Sequence, residues 1–208
     1  MNIHRLYRPL LRYFRTKRMQ QFRQLFGLAE TTRVLDVGGT LFNWLLIPNV
    51  PSLIIVNLYP PKETILPGVI WIVADGRNLP FKDKAFDIVY SNSVIEHLGD
   101  FVSQQAFARE IARVGVRYYV QTPNKWFPVE PHLLTPFIHY LPKSVQKRFL
   151  RNFTIWGLVT RPTVEQCDSF LQEVRLLDKQ ELKQLFPDAE ILEERFLGLT
   201  KSLIAVKI

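Results

Sequence analysis

Arg33-Val34-Leu35-Asp36-Val37-Gly38-Gly39-Thr40 decides how this chain is read. Val34, Leu35 and Val37 are apolar and mostly β-branched, which suits a buried strand. The glycines that follow let the backbone turn tightly and approach a ligand. Further strands follow at Ser52–Asn57, Val69–Val73, Phe86–Tyr90 and Val116–Val120. Their apolar residues run continuously instead of alternating, as in a parallel sheet covered on both faces. Phe101–Val114 reads as a helix with Asp100 as its N-cap. The connection between the second and third strands is short, so a loop or stunted helix is expected there.

Outside this alternation lie three other segments. Residues 10–28 form an amphipathic helix, with Pro9 at its start and Gly27 at its end. Residues 122–177 are rich in proline and aromatic residues and show no strand pattern. Asp178-Lys179-Gln180-Glu181 is a capping box that opens a helix to about Phe186. A hairpin, Glu190–Phe196 and Lys201–Ile208 turning at Gly198, closes the chain. The fold class is therefore α/β, doubly wound and mostly parallel, with a C-terminal antiparallel hairpin. Two units are expected: a basic helix over 1–28, and a domain over 29–208 with a substrate-side insertion at about 122–177.

The formal charge of +8 spread over 208 residues is uneven. Arg5, Arg8, Arg12, Arg15, Lys17, Arg18 and Arg23 precede the first acid, Glu30. The remainder is close to neutral. The arm is too often interrupted by charge for a secretory signal, so a cytoplasmic location is expected. A basic amphipathic arm is also a candidate for peripheral contact with the inner face of a membrane. The uncharged stretch Val37–Pro61 is broken by Pro48, Pro51 and Pro60, which argues against a membrane span. The single cysteine, Cys167, excludes an internal disulfide.

Ligands of open parallel sheets bind at the carboxyl ends of the strands. Asp36 places a carboxylate at the mouth of such a site. That disfavours a pyrophosphate and favours a ligand carrying an ammonium and a sulfonium. The loop also lacks G-x-G-x-x-G. Ala74-Asp75-Gly76, Leu79-Pro80-Phe81 and Phe86-Asp87-Ile88-Val89-Tyr90-Ser91-Asn92-Ser93-Val94-Ile95-Glu96-His97 follow in order. This succession resembles the class I S-adenosylmethionine-dependent methyltransferases, in the branch described simply as methyltransferase-domain proteins.

The resemblance implies a Rossmann-like, seven-stranded sheet, with S-adenosylmethionine as cofactor. It implies that Asp36, Gly38 and Gly39 hold the methionine end. Asn57 stands where the family has an acid for the ribose hydroxyls, and an amide can also bond them. Asp75 and Gly76 match the adenine site, and Ser91 and Asn92 the methionine moiety and reaction centre. Thr40 and Phe42 replace glycines of the family loop. With Asn57, they open a second reading, a non-catalytic binding module.

Methyl transfer needs alignment and exclusion of water, and a base only for a protonated acceptor. His97, Glu130 and His132 are the candidate bases. Glu130 and His132 stand two apart, so an extended segment points them the same way. No metal is expected, because Glu130, His132 and His139 have no ligand spacing. The expected acceptor is a small molecule, glycan or lipid-linked compound, methylated on oxygen. A nucleic-acid acceptor is disfavoured, because the body is near-neutral and Ser91-Asn92-Ser93-Val94 lacks the DNA-amino-methylating pattern.

Overall fold

The structure, a computed structural model, describes residues 8–62 and 64–208, and only the backbone of Arg8 and Leu10. The first residues of the basic arm, Arg5 among them, lie outside the described residues. Helix α1 (Arg8–Phe26) leads into β1 (Arg33–Val37), α2 (Leu41–Trp44), β2 (Ser52–Asn57) and β3 (Ile70–Val73). Then come β4 (Phe86–Asn92), a 3-10 turn over Ile95–His97, α3 (Phe101–Val114) and β5 (Gly115–Pro123). The final part holds α7 (Lys179–Leu185), β8 (Glu190–Phe196) and β9 (Leu199–Lys207).

Seven strands form one sheet in the order β3-β2-β1-β4-β5-β9-β8. The first five are parallel, and β9 runs antiparallel to both β5 and β8. The strand order reverses between β1 and β4, which makes their carboxyl ends the switch point. As expected, a loop joins β2 to β3; α2, between β1 and β2, is a single turn. The expectation of two-sided burial fails at β3, where Ile70 and Val73 are exposed because the strand is at the sheet edge.

Side-chain parity sorts the core into two layers. Leu35, Val37, Val89 and Val120 pack on one face with Phe107 and Ile111 of α3 and Leu182 of α7. Val34, Ile55, Ile88, Tyr90 and Tyr119 pack on the other with Met19, Phe22 and Phe26 of α1 and Trp44 of α2. Full burial of Met19 and Phe22 contributes about 1.5–3 kcal/mol each, so α1 is an integral layer of the sandwich. Asp100 caps α3 by accepting from the Ser103 N–H at 2.7 Å. Asp178 and Glu181 form the capping box of α7.

The 122–177 segment is more regular than its composition suggests. It holds a two-stranded sheet, β6 (Val129–Glu130) with β7 (Thr135–Pro136), and helices α4 (Lys143–Phe153), α5 (Ile155–Thr160) and α6 (Val164–Glu173). Leu133, Ile138, Leu150, Cys167 and Leu171 give it a small core of its own. Prolines set its corners: Pro142 stands at the N-cap of α4.

Candidate active site

The first-strand loop is shaped by steric necessity. Gly38 has φ of +76°, and a Cβ there would lie 2.6 Å from Val94. A Cβ on Gly39 would lie 1.8 Å from an Asp36 carboxylate oxygen. Asp36 therefore does not stand at the mouth of the site, as its sequence position suggests. It shares parity with Val34, points into the α1 and α2 layer, and is fully buried beneath Gly39. Its Oδ2 accepts from the Trp44 indole N–H at 2.8 Å, while Oδ1 has no partner. Burial pushes its carboxyl up to about 7, against the pull of Trp44 and Arg15.

Asn57 ties the end of β2 to this loop. Its Nδ2 donates to the Gly39 carbonyl at 3.0 Å, and its Oδ1 accepts from the Tyr59 N–H at 3.3 Å. Asn57 also lines a cavity of about 350 Å3 with Thr40, Phe42, Tyr59 and Trp71. Asp75 is ion-paired with Arg77 at 2.6 Å and remains about one-third exposed. That partner holds its carboxyl below the usual range, against the opposing effect of burial. Gly76 sits where a Cβ would press on Phe107 and Val37 at 2.8 Å.

Ser91 and Asn92 lie at the switch point, but their side chains are committed to the protein. Ser91 Oγ donates to the Val37 carbonyl at 2.9 Å on the α3 side. Asn92 has the opposite parity and accepts from the Arg18 guanidinium. The Asn92 Oδ1 is thus taken up by the protein, while its Nδ2 donates to no group among the described residues. Arg18 is 5% exposed and also donates to Gln121 at 3.0 Å and Glu194 at 2.8 Å. Its place was readable: Arg18 stands four residues from both Phe14 and Phe22, on the buried stripe of α1.

Beyond β4 the structure brings together His97, Glu130 and His132, distant in sequence but jointly predicted. His132 Nδ1 meets Glu130 Oε1 at 2.6 Å, so the two do point the same way. The His97 and His132 rings meet edge to face, 4.7 Å between centroids. Desolvation against its neighbours lowers the His97 imidazole, helped by His132, although the residue is exposed. Burial also works against protonation of His132, but the Glu130 and Glu96 carboxylates outweigh it and raise this imidazole. Glu96 is the member that the sequence reading missed. It is fully buried, and its Oε2 accepts from Thr122 Oγ1 at 3.1 Å. Burial pushes it up to about 7, although His132 and Thr122 favour its charged form. An acid between Ile95 and His97, within an apolar run, was the available signal.

A second cavity, of about 230 Å3, spans the carboxyl ends of β4 and β5 under α1. Phe14, Phe127, Leu134 and Phe196 give it apolar walls, and Arg18 and Lys201 give it charge. Pro131, between Glu130 and His132, also lines it.

Residues 57–116 match the family described as methyltransferase domain. The chain has the fold of several solved structures. Against the YcgJ protein of Bacillus subtilis the TM-score is 0.54 at 18% identity, covering 85% of this chain and 70% of that one. A SAM dependent methyltransferase from Aquifex aeolicus gives 0.51 at 14% identity, with 90% and 87% covered. The magnesium protoporphyrin IX methyltransferase of Synechocystis PCC 6803, solved with bound SAH, gives 0.57 at 12% identity, with 100% and 89% covered. None of the curated proteins matches. Fold and sequence signature together support a class I S-adenosylmethionine-dependent methyltransferase. The signature, of the methyltransferase-domain kind, spans β3, β4 and α3 and less than a third of the chain.

The residues present fit this cofactor. Asp36 Oδ1 is a buried acceptor lacking a partner, directly beneath the glycine loop. A cationic group bound at that loop would compensate its charge. Asn57 offers an amide at a cavity, and Asp75 a part-exposed carboxylate. When bound, S-adenosylmethionine supplies an electrophilic methyl on a sulfonium leaving group.

Proposed function

We propose that this methyltransferase acts on an oxygen of a small, amphiphilic or lipid-linked acceptor. The observation that carries the reading is the apolar cavity across the ends of β4 and β5, lined by Val129 and Pro131, with Glu130 and His132 turned to the opposite side of the same segment. Its aromatic walls suit an apolar body, and its charged rim, Arg18 and Lys201 both paired with Glu194, suits a polar end. The cluster of Glu96, His97, Glu130 and His132 supports activation of a hydroxyl. Glu130 fixes the tautomer of His132, whose other ring nitrogen then carries the lone pair.

His132→Ala is expected to lower acceptor turnover about 100-fold or more and to leave cofactor affinity by calorimetry unchanged. Loss of cofactor affinity with retained turnover would remove the cluster from the acceptor side.

Peripheral membrane contact through the basic arm is part of this proposal. Arg18 is committed inside the protein, so among the described side chains Arg12, Lys17 and Arg23 are the exposed basic residues of α1. At about 1 kcal/mol each they would contribute roughly 3 kcal/mol on an anionic surface. A triple Glu variant at these positions should lose co-sedimentation with phosphatidylserine vesicles. Equal sedimentation of both proteins would dismiss the contact. No helix among the described residues is long and apolar enough to cross a membrane.

A further inference from the structure

We infer that Glu96, His97 and His132 form a binding site for one divalent transition-metal cation. One ligand atom from each residue, a carboxylate oxygen and two imidazole nitrogens, lies within 4.8 Å of the other two. Donors round an ion at about 2.1 Å stand roughly 3–4 Å apart. Closing the triangle therefore takes side-chain rotations alone.

The partners of each group favour a cation at this point. Glu96 is fully buried and Oε1 has no hydrogen-bond partner. Its other oxygen is held by Thr122, which fixes the carboxylate plane. A buried, unpartnered carboxylate oxygen is costly unless a positive charge completes it. His132 is oriented as metal-binding histidines are. One ring nitrogen donates to the buried Glu130 carboxylate, and the other is left as a ligand. Glu130 is itself fixed, its second oxygen accepting from the Leu133 N–H. The His97 imidazole makes no hydrogen bond among the described residues and packs on His132. Glu96 and Glu130 together bring two carboxylates to one buried spot, which a dication would balance.

Two imidazoles and one carboxylate suit zinc, cobalt, manganese or iron in the divalent state better than magnesium or calcium. Three protein ligands leave coordination positions open for water or substrate. The role assigned to the ion deepens the proposed function and rests on it. An acceptor hydroxyl at an open position is oriented and made more acidic, and its proton passes to water. His132 is then a ligand, and Glu130 positions it.

The test is direct metal binding by the full chain, without cofactor or acceptor. Apo protein is titrated with Co2+ and followed by visible absorption, and Zn2+-loaded protein is desalted and assayed for metal. Wild type should retain one equivalent of zinc and give ligand-field bands at one equivalent of cobalt. Glu96→Gln should abolish both. His97→Gln, at the most exposed of the three positions, keeps the test valid if Glu96→Gln fails to fold. Glu130→Gln should weaken affinity about 10–100-fold with the bands retained. No bound metal in wild type, or equal binding by wild type and His97→Gln, would overturn the site. Metal binding without cofactor binding by calorimetry would leave the site standing and remove the methyltransferase reading. Cofactor binding without metal binding would do the reverse.

Discussion

The donor half and the acceptor half of the carboxyl edge are built differently. On the donor side, polar side chains find partners close by in sequence. Asp75 pairs with Arg77 two residues on, Asp36 with Trp44 eight on, and Asn57 with Gly39 18 back. On the acceptor side, apart from the local Glu130–His132 pair, the ties are long. Arg18 reaches Asn92 across 74 residues, Gln121 across 103 and Glu194 across 176. Glu96 meets Thr122 across 26. A donor site made by single loops can be carried as a compact motif. An acceptor site made where three or four distant segments converge can vary one segment at a time.

The largest expected effect tests the long ties. Arg18→Ala removes one partner of a nearly buried pair and leaves Asn92, Gln121 and Glu194 facing a void. Loss of about 3–5 kcal/mol by denaturant unfolding is expected. A loss below about 1 kcal/mol would mean that α1 is held by its aromatic face alone.

The next effect concerns a donor-side group. Burial pushes the Asp36 carboxyl up to about 7 in the folded chain, against about 3.9 unfolded. Between those values the folded state keeps a proton that the unfolded state has released. Its contribution to stability therefore falls as pH rises from about 4 to 7 and is level above that. Asp36→Asn removes this dependence. In cofactor-free protein the variant should gain on wild type from about pH 4 to 7, by up to about 4 kcal/mol. A pH-independent difference would mean that Asp36 is ionised and paired.

The third effect is smaller and local. Gly39→Ala places a methyl on the Asp36 carboxylate and should cost about 1–3 kcal/mol. Asp36→Ala should largely relieve that cost, measured as a double-mutant cycle. Additive losses would mean that the strain lies in the backbone.

The same contrast explains what could be read from the sequence. The strands, the loop between β2 and β3, the Asp178–Glu181 capping box and the Gly198 hairpin each follow from neighbouring residues. The glycine loop was visible as a motif, but the direction of Asp36 depended on strand parity and on the facing layer. Parity also turned Asn92 toward Arg18 and Ser91 toward Val37. Glu130 and His132 were predicted to meet because they stand two apart. Glu96 gains its role from Thr122 and His132, which only the folded chain brings near. The helices of 143–173 were hidden by prolines and aromatics, and their helical spacing became clear only with their own small core.

The Arg18–Glu194 pair also has a consequence for synthesis. Arg18 is made 176 residues ahead of Glu194, and Phe196 and Lys201 follow Glu194 closely. Phe14 meets the Phe196 ring at 5.6 Å and lies under the Lys201 ammonium at 3.6 Å. On the ribosome Phe22 can already pack on Tyr90 and Tyr119 while Phe14 still lacks Phe196 and Arg18 still lacks Glu194. The seam between α1 and the β8–β9 hairpin therefore closes after the parallel part of the sheet is in place.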